Sequence, residues 1–178
     1  YASKLTGGIE DIDLSTEDFV NKVNSNLVGN FANLASRSVP MITKNLEGRL
    51  GTLNPQGKDL VGKLISAKQQ VIENYENLNY AAAVRIITSL ADEANRFVEQ
   101  NQPWTMIKQD KEGTRTALTA VINAVKILTI YLKPILPKFA EKVEAFLDTG
   151  ELSFADVENV LENREIKPFK RLFDRIEM

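Results

Sequence analysis

From Phe19 onward the apolar residues of this chain return every three or four positions, and they never alternate with polar ones for long enough to make a strand. That period belongs to α-helices buried along one face. Phe19, Val23, Leu27, Phe31 and Leu34 mark a first long helix. Ser15 is placed to cap it, and Glu17 and Asp18 fall in the first turn, where acidic groups suit the helix dipole. Leu60, Leu64, Ile65, Val71 and Ile72 predict a second helix from about Lys58 to Tyr75. Asn79 caps a third through Ala83, Ile86, Ile87, Leu90, Ala94, Phe97 and Val98. A fourth runs from Thr114 through Leu118, Val121, Ile122, Val125, Leu128 and Leu132. Pro134 and Pro137 break it before a helix holding Phe139, Val143, Ala145, Phe146 and Leu147, and Ala155 to Leu161 adds a short helical turn. The links are short: a loop at Gly48, Gly51 and Asn54-Pro55-Gln56-Gly57, a stop at Gln100 to Pro103, and a charged turn from Lys108 to Gly113. The expected fold class is all-α, an antiparallel helical bundle.

Composition narrows the chemistry. The 178 residues include no His and no Cys, which removes imidazole bases, thiol nucleophiles, disulfides, haem ligation and the usual zinc sites. No Asp-rich metal loop, phosphate-binding glycine loop, dinucleotide fingerprint or nucleophile elbow occurs. This segment is not expected to catalyse a reaction alone. A net charge of −2 and a pI near 5.4 give no bulk attraction to nucleic acid, so any RNA reading has to be local. The sequence shows no signal peptide and no apolar run read as long enough to span a bilayer, so a cytoplasmic location is the default expectation. Residue 1 is Tyr, which suggests a piece of a longer protein whose other part holds the active centre.

The side chains with most to offer are Asn33, Arg37 and Trp104. An amide, a guanidinium and an indole are suited to an unpaired nucleobase: paired donor and acceptor, a rigid fork of donors, and a flat stacking face. Asn33 and Arg37 stand one helical turn apart, while Pro103 puts Trp104 at a corner where a helix gives way to a loop. On a helical wheel Asn26, Asn30, Asn33 and Arg37 form a polar ridge beside the apolar stripe, and Asn30 is a neighbouring contact. Each has a plainer reading: a solvated helix face for the pair, a core anchor for the indole. Glu99 serves either to repel wrong bases or as a surface charge, and Asp92, Asn95 and Arg96 are expected to tie helices together rather than touch RNA.

Longer strings carry a resemblance. Asn26-Leu27-Val28-Gly29-Asn30-Phe31-Ala32-Asn33-Leu34-Ala35-Ser36-Arg37 resembles the first anticodon-domain helix of the methionyl-tRNA synthetases. Gln102-Pro103-Trp104-Thr105-Met106-Ile107-Lys108 resembles that family's Pro-Trp corner, and Tyr131-Leu132-Lys133-Pro134-Ile135-Leu136-Pro137 is similar to a proline-broken helix shared by class I synthetases. The ending from Pro168 to Ile176 resembles the family's closing segment. The resemblance implies a bundle of the class I synthetase anticodon-binding type, cut from a methionine–tRNA ligase whose catalytic HIGH and KMSKS signatures are absent here. It implies that Asn33, Arg37 and Trp104 read the CAU anticodon of methionine tRNA, with Pro103 and Asn30 in support. The implied partners are that tRNA and the catalytic domain of the same parent chain, with neither DNA nor a membrane. No cofactor is implied for this segment; ATP and a candidate zinc ion belong to the catalytic part. Pro40, three residues after Arg37, departs from the family pattern and bears on whether the helix runs straight past the pair.

The expected organisation is a connector over residues 1–14, the helical domain over 15–165 and a closing segment over 166–178. In that tail Phe169, Leu172, Phe173 and Ile176 make an amphipathic helix that either closes the bundle or docks on the absent domain. Two other readings stay open: a structural or protein-interaction bundle, supported by the acidic pI and the tail, and the anticodon domain of a leucyl, isoleucyl, valyl or cysteinyl enzyme.

Overall fold

The computed structural model describes residues 1–8 and 15–168, together with the backbone alone at Phe19, Val23 and residues 25–28. The amphipathic tail over residues 169–178, most of the connector's second half, and the side chains of Asn26, Phe19, Val23 and Leu27 lie outside what is described. The described residues form a helical bundle of α1 (Thr16–Lys22), α2 (Asn33–Asn45), α3 (Pro55–Ser66), α4 (Lys68–Glu76), α5 (Tyr80–Asn101), the one-turn α6 (Pro103–Met106), α7 (Lys111–Leu132) and α8 (Pro137–Leu147). A single antiparallel bridge, Arg49 to Glu165, stands outside the helices.

Local chemistry sets these boundaries. Ser15 Oγ accepts the Asp18 N–H at 3.3 Å, and the Asn79 side chain accepts that of Ala82 at 3.3 Å, as the sequence suggests. Two helices start earlier than expected. Asn54 caps α3 by accepting the Gly57 N–H at 2.7 Å, with Pro55 as its first residue, so the supposed loop is a helix start. Asp110 likewise caps α7 through Gly113, at 2.8 Å, and the charged turn supplies its first turn. The expected second helix is two: the Ser66 hydroxyl donates to the Lys63 carbonyl, and the chain departs from helical geometry at Ala67, whose ψ is −8°. The helical turn expected over Ala155 to Leu161 is a single 3₁₀ turn, Phe154–Asp156, closed by a capping box between Ser153 and Asp156.

The first long helix is helical throughout but not one α-helix. Between α1 and α2 the stretch Val23–Ala32 is a π-helix. The helix passes through Pro40 and ends at Asn45.

α7 is the axis of the bundle, packed against α2, α3, α5 and α8 and buried from Ala117 to Leu132. Contrary to the sequence expectation, it is long and apolar enough to cross a membrane; 89% of that stretch is buried within the protein, as befits a core helix. Polar side chains on α7 hold the segment that returns after α8. Asn123 accepts the Leu161 N–H at 2.7 Å and donates to its carbonyl at 2.9 Å. The buried Lys126 ammonium donates to the carbonyls of Asp156 and Asn159. At the other end of the bundle the 3₁₀ turn Ala2–Lys4 lies on α5, and the Leu5 carbonyl accepts the Ala81 N–H at 2.8 Å.

Candidate functional site

Trp104 is the second residue of α6, and its place follows from the turn before it. α5 ends at Gln102, a non-glycine residue at φ 41°, where the left-handed backbone turns the chain sharply. The Gln102 N–H still donates to the Val98 carbonyl at 2.9 Å, while its own carbonyl accepts the N–H groups of Thr105 and Met106. One residue thus ends α5 and starts α6. The next is Pro103, buried at the first position of α6, where a missing N–H costs nothing. With the proline seated inside, the indole is turned outward and is 43% exposed. It is not a core anchor.

Arg37 comes from α2 to meet it. Its Cζ lies 5.7 Å from the centre of the indole ring, within the range of a cation–π contact. The guanidinium is exposed and has no ion pair among the described residues, so its donors are available to a ligand. Asn33 sits one turn earlier on α2, half-buried; among the described residues no hydrogen bond occupies its amide. These three side chains, drawn from residues far apart in sequence, supply donors, an acceptor and an aromatic face on two neighbouring elements.

Asn30 is differently placed. Its amide donates to Asp92 Oδ1 at 2.9 Å, and its backbone carbonyl accepts the Asn95 side-chain amide at 3.2 Å. Asp92 and Asn95 do tie helices together, whereas Arg96 pairs at 2.7 Å with Glu93 on its own helix. Neither the π stretch nor the reversal at Gln102 was read from the sequence. The signal for the second was the residue before Pro103, which resists ordinary helical geometry. A separate polar groove of about 410 Å³ opens between α3 and α5, with Gln56, Asp59 and Gln100 on its rim; its Lys63 and Arg96 both bind Glu93.

Comparison with known proteins agrees with this geometry. The sequence model of a family described as the anticodon binding domain of methionyl tRNA ligase matches residues 47–176, a range that includes Trp104 and begins after Arg37. The methionine–tRNA ligase of Chromobacterium violaceum is 44% identical over 178 residues, covering 99% of this chain and 26% of its own length. That of Bdellovibrio bacteriovorus is 38% identical over 177 residues, with the same coverage of 99% and 26%. The chain therefore spans about a quarter of the length of these curated relatives. Among solved structures, apo Mycobacterium tuberculosis methionyl-tRNA synthetase shares the fold at a TM-score of 0.87 and 24% identity, over 93% of this chain and 35% of that one. The same enzyme in complex with methionyl-adenylate gives 0.84 at 26% identity, over 91% and 34%.

Proposed function

Since the chain belongs to the family of anticodon-binding domains of methionyl-tRNA ligases, we propose that it reads the CAU anticodon of methionine tRNA for a ligase that charges that tRNA using ATP in the cytoplasm. The observation that carries the reading is the meeting of Arg37 with the exposed face of Trp104. An anticodon base that leaves its loop loses its stacking neighbours, and an indole face returns part of that energy, about 1–3 kcal/mol per base. Trp104 stacks the first base, a cytosine. The 5.7 Å between guanidinium and ring leaves too little room for a base between them, because two ordinary contacts of roughly 3.5 Å are needed. Arg37 therefore swings off the indole as the base arrives and takes a base edge or a nearby phosphate. Asn33 pairs with a base edge from the same helix, and a wrong base leaves these groups unpaired. Pro103 and Asn30 support the site rather than read it: one seats the corner, the other is already bound to α5. The catalytic domain, ATP and any zinc ion belong to the remainder of the parent chain.

The chain has one tryptophan, so the test is direct. A CAU anticodon stem-loop is titrated into the protein and indole emission followed, then the titration is repeated with the cytosine replaced. The expected result is a saturating change with the first RNA and a much weaker one with the second. Equal responses, or none with either at millimolar RNA, overturn the proposal.

A further inference from the structure

We propose that Asn95, assisted by Asp92, is a positioning residue that locks the junction between the π stretch and α2 and so fixes where Arg37 meets Trp104. The argument starts with counting hydrogen bonds. In a π-helix each N–H reaches five residues back, and in an α-helix four. Where one pattern gives way to the other, one carbonyl is skipped, and a buried or half-buried carbonyl needs another donor. The change falls between Ala32 and Asn33. Two residues before it, the Asn30 carbonyl accepts a hydrogen bond from outside its own helix, from Asn95 Nδ2 at 3.2 Å. The same nitrogen donates to the Ala91 carbonyl at 2.9 Å, which holds the amide in that orientation. Asp92, one turn earlier on α5, takes the Asn30 side chain at 2.9 Å. Residue 30 is thus held by both its backbone and its side chain.

The consequence reaches the proposed site because α5 does two jobs. Roughly 9 Å further along its axis, at 1.5 Å per residue, the helix ends in the corner that presents Trp104. A single rigid element therefore sets the register of the helix carrying Asn33 and Arg37 and also the place of the indole. Without the Asn95 contact the π turn is free to relax to α geometry, which rotates one end of the helix relative to the other and moves the guanidinium off the ring. Gly29 fits this account: a Cβ there would lie 3.3 Å from the Asn24 carbonyl, which the π turn brings close.

The effect on RNA rests on the anticodon reading above, so the experiment has an arm that does not. In the free 178-residue chain, indole emission and its quenching by acrylamide are compared for the wild type, Asn95→Ala, Asn95→Gln and Arg37→Ala. Asn95→Ala is expected to keep its helical circular dichroism and to match Arg37→Ala in quenching, with Asn95→Gln returning part of the way to wild type. In the RNA arm, Asn95→Ala lowers the preference for the CAU stem-loop over its cytosine-replaced form at least fivefold. If the alanine variant loses helicity, Asn95→Ser, which keeps a hydroxyl but is too short for the gap, serves in its place. Wild-type quenching in the alanine or serine variant overturns the proposal. A wild type that does not distinguish the two RNAs defeats the anticodon reading, and the free-protein comparison still decides the role of Asn95.

Discussion

The Arg37–Trp104 contact puts a cation against an exposed aromatic face with no carboxylate to neutralise it. Such a contact contributes little stability in water, about 0.5–1 kcal/mol at an exposed site, so its residues are replaceable without unfolding. We expect Trp104→Ala to keep its helical content and melting temperature while binding of the CAU stem-loop weakens on the order of tenfold to a hundredfold, the worth of one lost stack. Circular dichroism and a competition titration check both halves; a melted spectrum would instead assign the indole to the core. Arg37→Lys separates charge from shape. It keeps the charge but loses the planar fork, so it should weaken stem-loop binding several-fold and abolish most of the preference for cytosine, read by the same titration. These side chains were legible in the sequence because helical spacing pairs Asn33 with Arg37, and because a proline before the lone tryptophan announces a corner. Asn95 and Asp92 carried no comparable signal. Their partner lies more than sixty residues away, and periodicity within one helix says nothing about which neighbouring helix its polar face will meet.

Helices whose apolar residues follow the 3.6 period were found at nearly their true extent, and errors gathered where side-chain capping overrides the pattern, at Asn54 and Asp110. The π stretch did leave a trace. Phe19, Val23, Leu27 and Phe31 are each four apart, a spacing that drifts around a 3.6-residue helix but stays aligned on a wider one. What no pattern announced is the polar underside of α7, where Thr119, Asn123 and Lys126 lie among apolar neighbours and bind backbone of distant segments. Burial pushes the Lys126 ammonium down to about 8. The sign follows: between about pH 8 and 10.5 the unfolded lysine holds its proton while the folded one gives it up, so this group's contribution to stability rises with pH across that window. Tyr75 and Tyr131 are pushed up by burial and act against folding only as pH climbs past the ordinary tyrosine range. Wild-type melting temperature is therefore expected to increase by a few degrees from pH 8 to pH 9.5, since each unit across the window is worth up to about 1.4 kcal/mol. In Lys126→Met, which leaves the Asp156 and Asn159 carbonyls without their donor, that rise disappears and the protein is less stable at neutral pH by about 1–3 kcal/mol. Melting curves of both proteins over the pH series decide it.

For the molecule as a whole, charge determines how such a domain can hold RNA. With 22 basic against 24 acidic side chains there is no net attraction to a phosphate backbone, and many of the basic groups are engaged within the fold, Arg115 by Glu47 and Glu112, Lys133 by Glu144 and Glu151, Lys167 by Asp148. A protein that grips nucleic acid through six to ten phosphates loses about a thousandfold or more in affinity between 50 and 200 mM salt. Reading by stacking and base edges involves one or two phosphates, and for a single strand the slope of log K against log salt is about −0.7 per phosphate neutralised. Affinity of this chain for the CAU stem-loop should then fall by less than about tenfold over the same range, and the ratio between the cognate and cytosine-replaced RNAs should hardly change, because the groups that discriminate are not the ones that displace counterions. Fluorescence titrations at four or five salt concentrations measure both quantities. A thousandfold loss, or a preference that vanishes with salt, would mean that phosphates rather than bases are being bound, and the meeting of indole and guanidinium would then need another purpose.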